Sequence, residues 1–587
     1  MQTSNAEIAK LLRSVAAAYQ IKKIGNIFQI RAYEAAADAI DQSTSEIKDL
    51  WEENRLDEIS GVGEKIKAYL IELFQTGRVN HFEQVMKGIP EAVFNLLDVP
   101  GIGPQTAYKL SNLGVSSLDD LKVQIKSGKL VAKDFSAKIA EKILLGLEEA
   151  AKRDKRILLP YASEQIKRVI AYLKKSPDVI DAHPLGSLRR MVATVGDLDF
   201  SASSNNSQKV VDYFTKMPGI ARVVDKGDNK TTVVLTSGLQ LDLLVGKPDS
   251  YGALLQHFTG SKQHNIHLRT IAEEKGLSLS EYGVKKLKIQ NSKFNSEELI
   301  ETKTEEEFYK LLEMEAPPPE IREDQGEIEV ALAHKLPRLA ELQDIKGDLH
   351  THSNFPFVHP SHGPGTDSIE DIIKKAVSLR YQFIGISDHP PGHDSVSSED
   401  LIKAVEKRTK FIQSLKQRTK SIRVLNGLEI DILSDGSLSV PDKALETLDY
   451  CIAGIHSGHR GSKEVITKRL LNALENPHVD AISHPTNRLI RERGSSEADW
   501  EAIFKYCAKN HKLLEINGYP NRLDLRDDLV REALKYGVRF IIDTDAHQVS
   551  QMDNMLYGVA VARRGWTTKE DVVNAWDWTR FAKWFKI

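Results

Sequence analysis

The chain has 587 residues, 41% of them apolar, and a formal net charge of −3. That is enough for several domain cores but supplies no global charge to hold a polyanion, so any nucleic-acid contact must use local patches. Cys451 and Cys507 are the only cysteines, which excludes a disulfide framework and cysteine-ligated zinc and points to a reducing, cytoplasmic setting.

No run of about 18 apolar residues offers a membrane span, and the N-terminus lacks the basic-then-apolar layout of a secretory signal. It reads instead as an amphipathic helix, with Ile8, Leu11, Leu12 and Val15 on one face. The chain continues to about residue 150 as helices with short turns. Two stretches echo each other, "ISGVGEKIKAYL" at 59–70 and "VPGIGPQTAYKL" at 99–110. Each has a glycine turn opening a helix, which exposes backbone N–H groups to a phosphate. Gly61 and Gly63, with Lys65, occupy the first turn, and Gly101 and Gly103 the second. One such turn could simply join packed helices. Two favour backbone contact with DNA, a grip that does not read sequence.

From about residue 155 the chain becomes strand-rich. In "GSLRRMVATVGDLDF" at 186–200, the two-residue period of a strand puts Asp197 and Asp199 on one face and Leu198 and Phe200 on the other. Paired carboxylates repel unless a cation neutralises them, and magnesium suits oxygen ligands shared with substrate phosphates. Gly196 leaves room for a phosphate near the backbone. Turns at Asp228-Asn229 and Ser237-Gly238 outline an antiparallel meander, whose "LQLDLLV" supplies a third carboxylate, Asp242. Three carboxylates can hold two metals, one activating a hydroxyl and one clamping a triphosphate. Ser187 and Arg190 lie upstream, in reach of the phosphates. A solvated Asp-x-Asp on an edge strand is the rival reading; the arginines and the cost of burying unpaired carboxylates weigh against it.

In "HFTGSKQHNIHLR" at 257–269, Phe258 can stack on a sugar or base, and Gly260 permits close backbone approach. Lys262, His264, His267 and Arg269 form a basic run that a solvated helix start explains equally well. "EAPPPEIREDQGE" then reads as a surface connector.

After Gly347 short apolar strands alternate with helices, the pattern of a βα barrel or doubly wound sheet. The strand-like runs end in His350 and His352, Asp388 and His389, Glu429, His456, His484, Glu515 and Asn517, and Asp545 and His547. In a βα barrel these ends converge on one face. The imidazole and carboxylate mixture suits zinc, manganese or iron, and several metals activating a water toward phosphate is a phosphoesterase design.

The motif at 186–200 resembles the nucleotidyltransferase signature of family X DNA polymerases, and 257–269 resembles their nucleotide-pocket segment. The C-terminal region resembles the PHP (polymerase and histidinol phosphatase) domain, so the order of parts is that of the bacterial type. The resemblance implies a multidomain fold: helical helix-hairpin-helix domains, an α+β nucleotidyltransferase palm with thumb, and a C-terminal distorted seven-stranded βα barrel. The expected boundaries are a lyase-like domain at 1–85, fingers at 86–152, palm at 153–247, thumb at 248–316, a linker at 317–345 and the PHP domain at 346–587.

It implies Asp197, Asp199 and Asp242 as ligands of Mg²⁺ or Mn²⁺, Ser187 and Arg190 on the triphosphate, His257 and Phe258 against the sugar, Asn265 at the base edge and Arg269 on the template side. A monovalent cation is implied at the hairpins. In the barrel it implies up to three ions of Mn²⁺, Zn²⁺ or Fe²⁺ held by His350, His352, His389, Glu429, His456, His484, Asp545 and His547. The usual Ser-Asp-Gly turn after His-x-His is absent here; among His359, His362 and Asp367, His359 lies nearest the expected place and is the favoured ligand. Tyr69 stands where a Schiff-base lysine is expected, with Lys65 and Lys67 nearby.

The expected activity is template-directed gap filling in DNA repair, with 3′→5′ exonuclease and, as in some members, abasic-site endonuclease activity. The expected partners are gapped or primer-template DNA and deoxynucleoside triphosphates, with no membrane, the chain acting as a monomer. The rivals are a PHP phosphoesterase tethered to DNA by a weak or inactive polymerase module, and a non-enzymatic DNA-end scaffold.

Overall fold

The computed structural model describes residues 5–41, 47, 51, 56, 62–97, 102–127, 129, 156–286, 299–459 and 461–587. They form two compact units, 1–156 with 235–239, and the remainder. In the first, helix Asn5–Lys22 packs along helix Ile27–Asp41. Ile8, Leu12 and Val15 are fully buried and Leu11 packs at the edge of the same core, as the apolar stripe dictates. Helix Glu64–Thr76 adds Ile66, Leu70 and Leu73 to that core. A second core gathers Val93, Leu96, Ile102, Ala107, Leu110 and Leu121 around helix Pro104–Asn112.

The second unit contains a five-stranded sheet made of β1 (Asp181–Pro184), β2 (Leu198–Ser203), β3 (Ile220–Lys226), β4 (Lys230–Leu235) and β5 (Gln240–Gly246), in the order β1-β2-β5-β4-β3. The meander is present, with β4 antiparallel to β5, but β5 then pairs parallel with β2. Leu198, Phe200 and Ala202 are buried, and Phe200 meets Phe214 of helix Ser207–Phe214 edge-on at 5.3 Å. Helices Tyr251–Thr259 and Lys262–Glu274 follow, with a three-stranded sheet of 277–280, 283–286 and 299–300.

The segment expected to be a surface connector is packed. Ile321, Arg322, Glu327, Ile328 and Ala331 are all at most 1% exposed. Composition misleads here because the charges are paired: Arg322 bonds Glu305 and lies over the Tyr309 ring, and Glu327 accepts from His264 and from the backbone of Asp324 and Gln325. Burial of charge is tolerated when every ion is matched in this way.

Residues 347–587 form a seven-stranded, nearly closed parallel barrel: β6 (Gly347–Asp348), β7 (Phe383–Ile386), β8 (Arg423–Asp431), β9 (Tyr450–Gly454), β10 (Ala481–Ile482), β11 (Leu513–Asn517) and β12 (Arg539–Asp543). A parallel bridge between Thr351 and Ala546 draws the outer strands together. One end is filled by Phe383, Tyr450, Trp576, Phe581 and Phe585. The other, where the strands end, is left for polar side chains. No helix among the described residues is long and apolar enough to cross a membrane.

Candidate functional site

The parallel pairing of β2 with β5 sets Asp199 opposite Asp242. Both side chains leave the same face because Leu198 and Phe200, like Leu241 and Leu243, turn into the core. Asp197 precedes β2 in an exposed bend. Burial, then the charges of Asp242 and Asp197, push the Asp199 carboxyl up to about 6. Asp242 accepts from Gln240 Nε2 at 2.9 Å and from the Thr232 hydroxyl. Such like-charge crowding is what a divalent cation relieves, so the donor set fits a magnesium-type ion.

Gly196 sits in the exposed bend beside Asp197; the glycine that faces the cluster is Gly186, with φ +56°, whose Cβ position lies 3.4 Å from Asp199 Oδ2. Ser187 is half-buried in the short helix Gly186–Arg189. Arg190 donates to Glu323 Oε1 at 3.0 Å and to the Thr259 carbonyl at 2.5 Å. Arg564, from helix Met555–Arg564 of the same unit, donates to the same Glu323 oxygen at 3.0 Å and to the Arg190 carbonyl at 2.8 Å.

In the second motif, Gly260 ends helix Tyr251–Thr259 at φ +69°. Phe258 packs with Leu185, Tyr251, Leu254 and Leu255, and the half-buried His257 has its pKa lowered by burial. Asn265 donates to the His257 carbonyl and accepts from Gln256, each at 2.8 Å. The basic run is divided: Lys262 and Arg269 are exposed, whereas His264 is fully buried between Glu327 and Tyr309.

At the hairpins, Gly63 and Gly103 each cap the following helix with ordinary extended backbone. A Cβ at either would meet nothing within 4 Å. The protein's own packing therefore does not demand glycine there, and the open space faces outward. Lys65 is exposed. Gly61 and Gly101 lie outside the described residues. Tyr69 stacks on His81 at 5.0 Å and meets Phe82 edge-on at 5.1 Å.

The barrel's strand ends bring most of the expected ligands together. Glu429, 1% exposed, stands at the centre. Its Oε2 lies 2.9 Å from His350 Nε2, 3.4 Å from His352 Nε2 and 3.2 Å from His389 Nε2. Its Oε1 lies 3.2 Å from His456 Nε2 and 2.8 Å from His484 Nε2. Asp545 Oδ1 is 3.4 Å from His350 and 3.3 Å from His352, and His547 stacks on His352 at 4.1 Å.

Atoms bound to one ion at zinc-like distances stand about 3 Å apart, which is the spacing seen. His352 has both ring nitrogens buried without a hydrogen-bond partner, and His389 has its Nδ1 so placed; buried polar atoms are normally satisfied. The residues therefore fit a group of metal ions. Burial opposes charge on Glu429, but the surrounding His350, His389 and His456 hold its carboxyl well below the ordinary range. Glu515 accepts from His350 Nδ1 at 2.6 Å, and Asp431 lies 2.7 Å from His456 Nδ1. Carboxylates behind imidazoles fix the ring so that the other nitrogen faces a metal. Asp388 does not join the cluster: it accepts from Arg408 and from Ser353.

His359 is corrected. It is exposed, at φ +52°, and joins no metal-spaced group among the described residues. His362 takes the place, with ring centroids 4.7 Å from His389 and 4.3 Å from His456 and its Nε2 2.8 Å from Asp431 Oδ1. The cause is a clip. The Gly392 N–H donates to the His359 carbonyl and the Ser361 N–H to the Pro390 carbonyl, so the ring that returns over His389 is the one three residues later. Gly365 then passes His352 so closely that a Cβ would sit 2.0 Å from its carbonyl oxygen. Asp367 is occupied elsewhere, accepting from the Val549 N–H. Asp431 went unread in the sequence, although its spacing from Glu429 on one strand is the same signal that marked Asp197 and Asp199.

Four family models match: helix-hairpin-helix domain at 3–79, SAM-like helix-hairpin-helix tandem at 94–149, DNA polymerase beta thumb at 254–323 and PHP domain at 348–518. The protein named DNA polymerase/3′-5′ exonuclease PolX of Bacillus subtilis is 34% identical over 576 residues, covering 97% of each chain. Proteins named probable phosphatase match a smaller part. That of Clostridium acetobutylicum is 28% identical over 209 residues, 34% of this chain and 78% of its own. That of Acetivibrio thermocellus is 26% identical over 210 residues, with the same coverage, 34% and 78%.

Proposed function

The chain belongs to the family X DNA polymerases that carry a PHP domain, and on that premise we propose that its two acidic clusters divide the work, nucleotide addition at Asp197, Asp199 and Asp242 and 3′ resection at the barrel mouth. It is a DNA polymerase with 3′-5′ exonuclease activity. The observation that carries the first assignment is the parallel register that sets Asp199 beside Asp242. These two carboxylates and Asp197 would hold Mg²⁺ or Mn²⁺. Arg190 would exchange Glu323 for the triphosphate, with Ser187 donating alongside it, since a guanidinium pairs well with either anion. His257, Phe258 and Asn265 would border the sugar and base, Gly260 would let the backbone approach, and Arg269, being exposed, would face the template.

In the barrel, His350, His352, His362, His389, Glu429, His456, His484, Asp545 and His547 would hold Mn²⁺, Zn²⁺ or Fe²⁺, up to three ions. When bound, divalent ions supply neutralisation of phosphate charge and an activated oxygen nucleophile. Glu515 and Asp431 would keep His350 and His456 oriented. Abasic-site endonuclease activity is proposed for the same mouth. The hairpins at Gly61, Gly63 and Lys65 and at Gly101 and Gly103 would grip gapped or primer-template DNA, with a monovalent cation at the turn. The domain boundaries are proposed as 1–85, 86–152, 153–247, 248–316, 317–345 and 346–587. Cys451 and Cys507 are buried free thiols, in keeping with a reducing, cytoplasmic setting, and the chain would act as a monomer.

Primer extension with deoxynucleoside triphosphates, with and without template, tests the reading: template-dependent extension is expected, and its absence would favour the tethered phosphoesterase. Two finer results follow. His362→Ala is expected to lower bound metal, measured by plasma emission, whereas His359→Ala leaves it unchanged; the reverse would restore His359 to the site. Little or no lyase action on a 5′ abasic sugar is expected, because Tyr69 offers no amine. Borohydride trapping that vanishes in Lys65→Ala or Lys67→Ala would show a neighbouring lysine in that role.

A further inference from the structure

We propose that Arg522 binds the phosphate being cleaved at the barrel mouth, as the donor that meets its non-bridging oxygens. This rests on the reading of the barrel as the nuclease site. Arg522 lies on the loop after β11, where strand ends converge, and its position is built from several sides. Its N–H donates to the Tyr519 carbonyl at 2.9 Å. Its own carbonyl accepts from Arg488 Nε at 2.6 Å, and the Leu523 carbonyl accepts from the same guanidinium. Asp524, fully buried, accepts from the Thr486 hydroxyl at 2.8 Å and from its N–H. The loop is therefore clamped to the segment that follows His484.

The guanidinium so positioned reaches the metal-type cluster. Arg522 Nε is 3.4 Å from Asp545 Oδ2, while Oδ1 of the same carboxylate faces His350 and His352. Asn517 Nδ2 donates to that Oδ2 at 3.2 Å, so the oxygen already has a neutral partner. Arg522 Nη1 is buried and has no acceptor among the described residues. A charged donor left unmet in a buried place is costly, and such exceptions call for a ligand. A cation beside a cation-binding cluster is unfavourable in itself, and an anion lying between them removes the conflict. The anion this mouth exists to receive is a phosphodiester. A guanidinium matches its paired oxygens, and charge grows on those oxygens as water bonds to phosphorus and loses a proton while the 3′ oxygen leaves and gains one.

Arg522→Ala and Arg522→Lys test this in the full chain, beside His350→Ala with His352→Ala, using resection of a single-stranded oligonucleotide, inhibition of resection by inorganic phosphate, bound metal and primer extension. In Arg522→Ala, resection is expected to fall about 100-fold and the inhibition constant of phosphate to rise about tenfold or more, with metal content and primer extension as in wild type. Arg522→Lys should recover part of both losses. Wild-type phosphate inhibition in Arg522→Ala, or a loss of resection matched by a loss of bound metal, overturns the proposal alone, the latter leaving Arg522 a prop for Asp545. Resection that survives loss of both His350 and His352 overturns the barrel reading, and this proposal with it.

Discussion

Asp242→Ala is expected to abolish nucleotide addition while 3′ resection stays measurable. Asp242 stands directly across from Asp199 on the parallel partner strand, and burial together with Asp242 and Asp197 already raises the Asp199 carboxyl to about 6. On the proposed assignment, removing Asp242 relieves that crowding and leaves too few carboxylates to hold the metal. Loss of one preorganised electrostatic group at a reacting phosphate costs about 10²–10³-fold in turnover, and loss of a metal ligand should cost at least that. The substitution leaves the sheet core untouched, because Leu241 and Leu243 supply its packing. Primer extension and oligonucleotide shortening on one preparation check it. Equal loss of both activities in a folded variant would sink the two-site account.

His350→Ala combined with His352→Ala is expected to have the converse effect, removing metal-dependent resection and sparing primer extension. His350 is held between Glu429 and Glu515, and His352 lies between Glu429 and Asp545. Removing both leaves three carboxylates in a buried space with two fewer rings to balance them. Metal affinity should fall steeply, since loss even of an outer partner typically costs about 10–100-fold. Resection assays with added Mn²⁺ and metal analysis of the purified variant check it. A wild-type rate of resection would show that the barrel is not the nuclease.

Much of both candidate sites was legible because strands alternate. The period of two put Asp197, Asp199 and Asp242 on faces turned away from the core leucines, and strand ends gathered the barrel histidines. Strand order was not legible: alternation shows a meander but not that β5 pairs parallel with β2, the step that brings Asp199 to Asp242. Loop geometry was equally hidden. Proximity along the chain favours His359, whereas a clip onto Pro390 and Gly392 delivers His362. Polar composition misled at Arg322, Glu327 and His264, which are buried because their charges and hydrogen bonds are matched. Arg522 carried no signal at all, since its meaning comes from an unmet Nη1 beside a carboxylate far off in sequence.

On the proposed division of labour, one chain extends and shortens the same 3′ end at two chemically separate sites. The most direct measurement places wild type, Asp242→Ala and His350→Ala with His352→Ala on one end-labelled primer-template, with deoxynucleoside triphosphates and Mn²⁺, and resolves products nucleotide by nucleotide. Wild type is expected to give both longer and shorter products, Asp242→Ala only shorter ones and the double-histidine variant only longer ones. Loss of both product classes in either folded variant would contradict it.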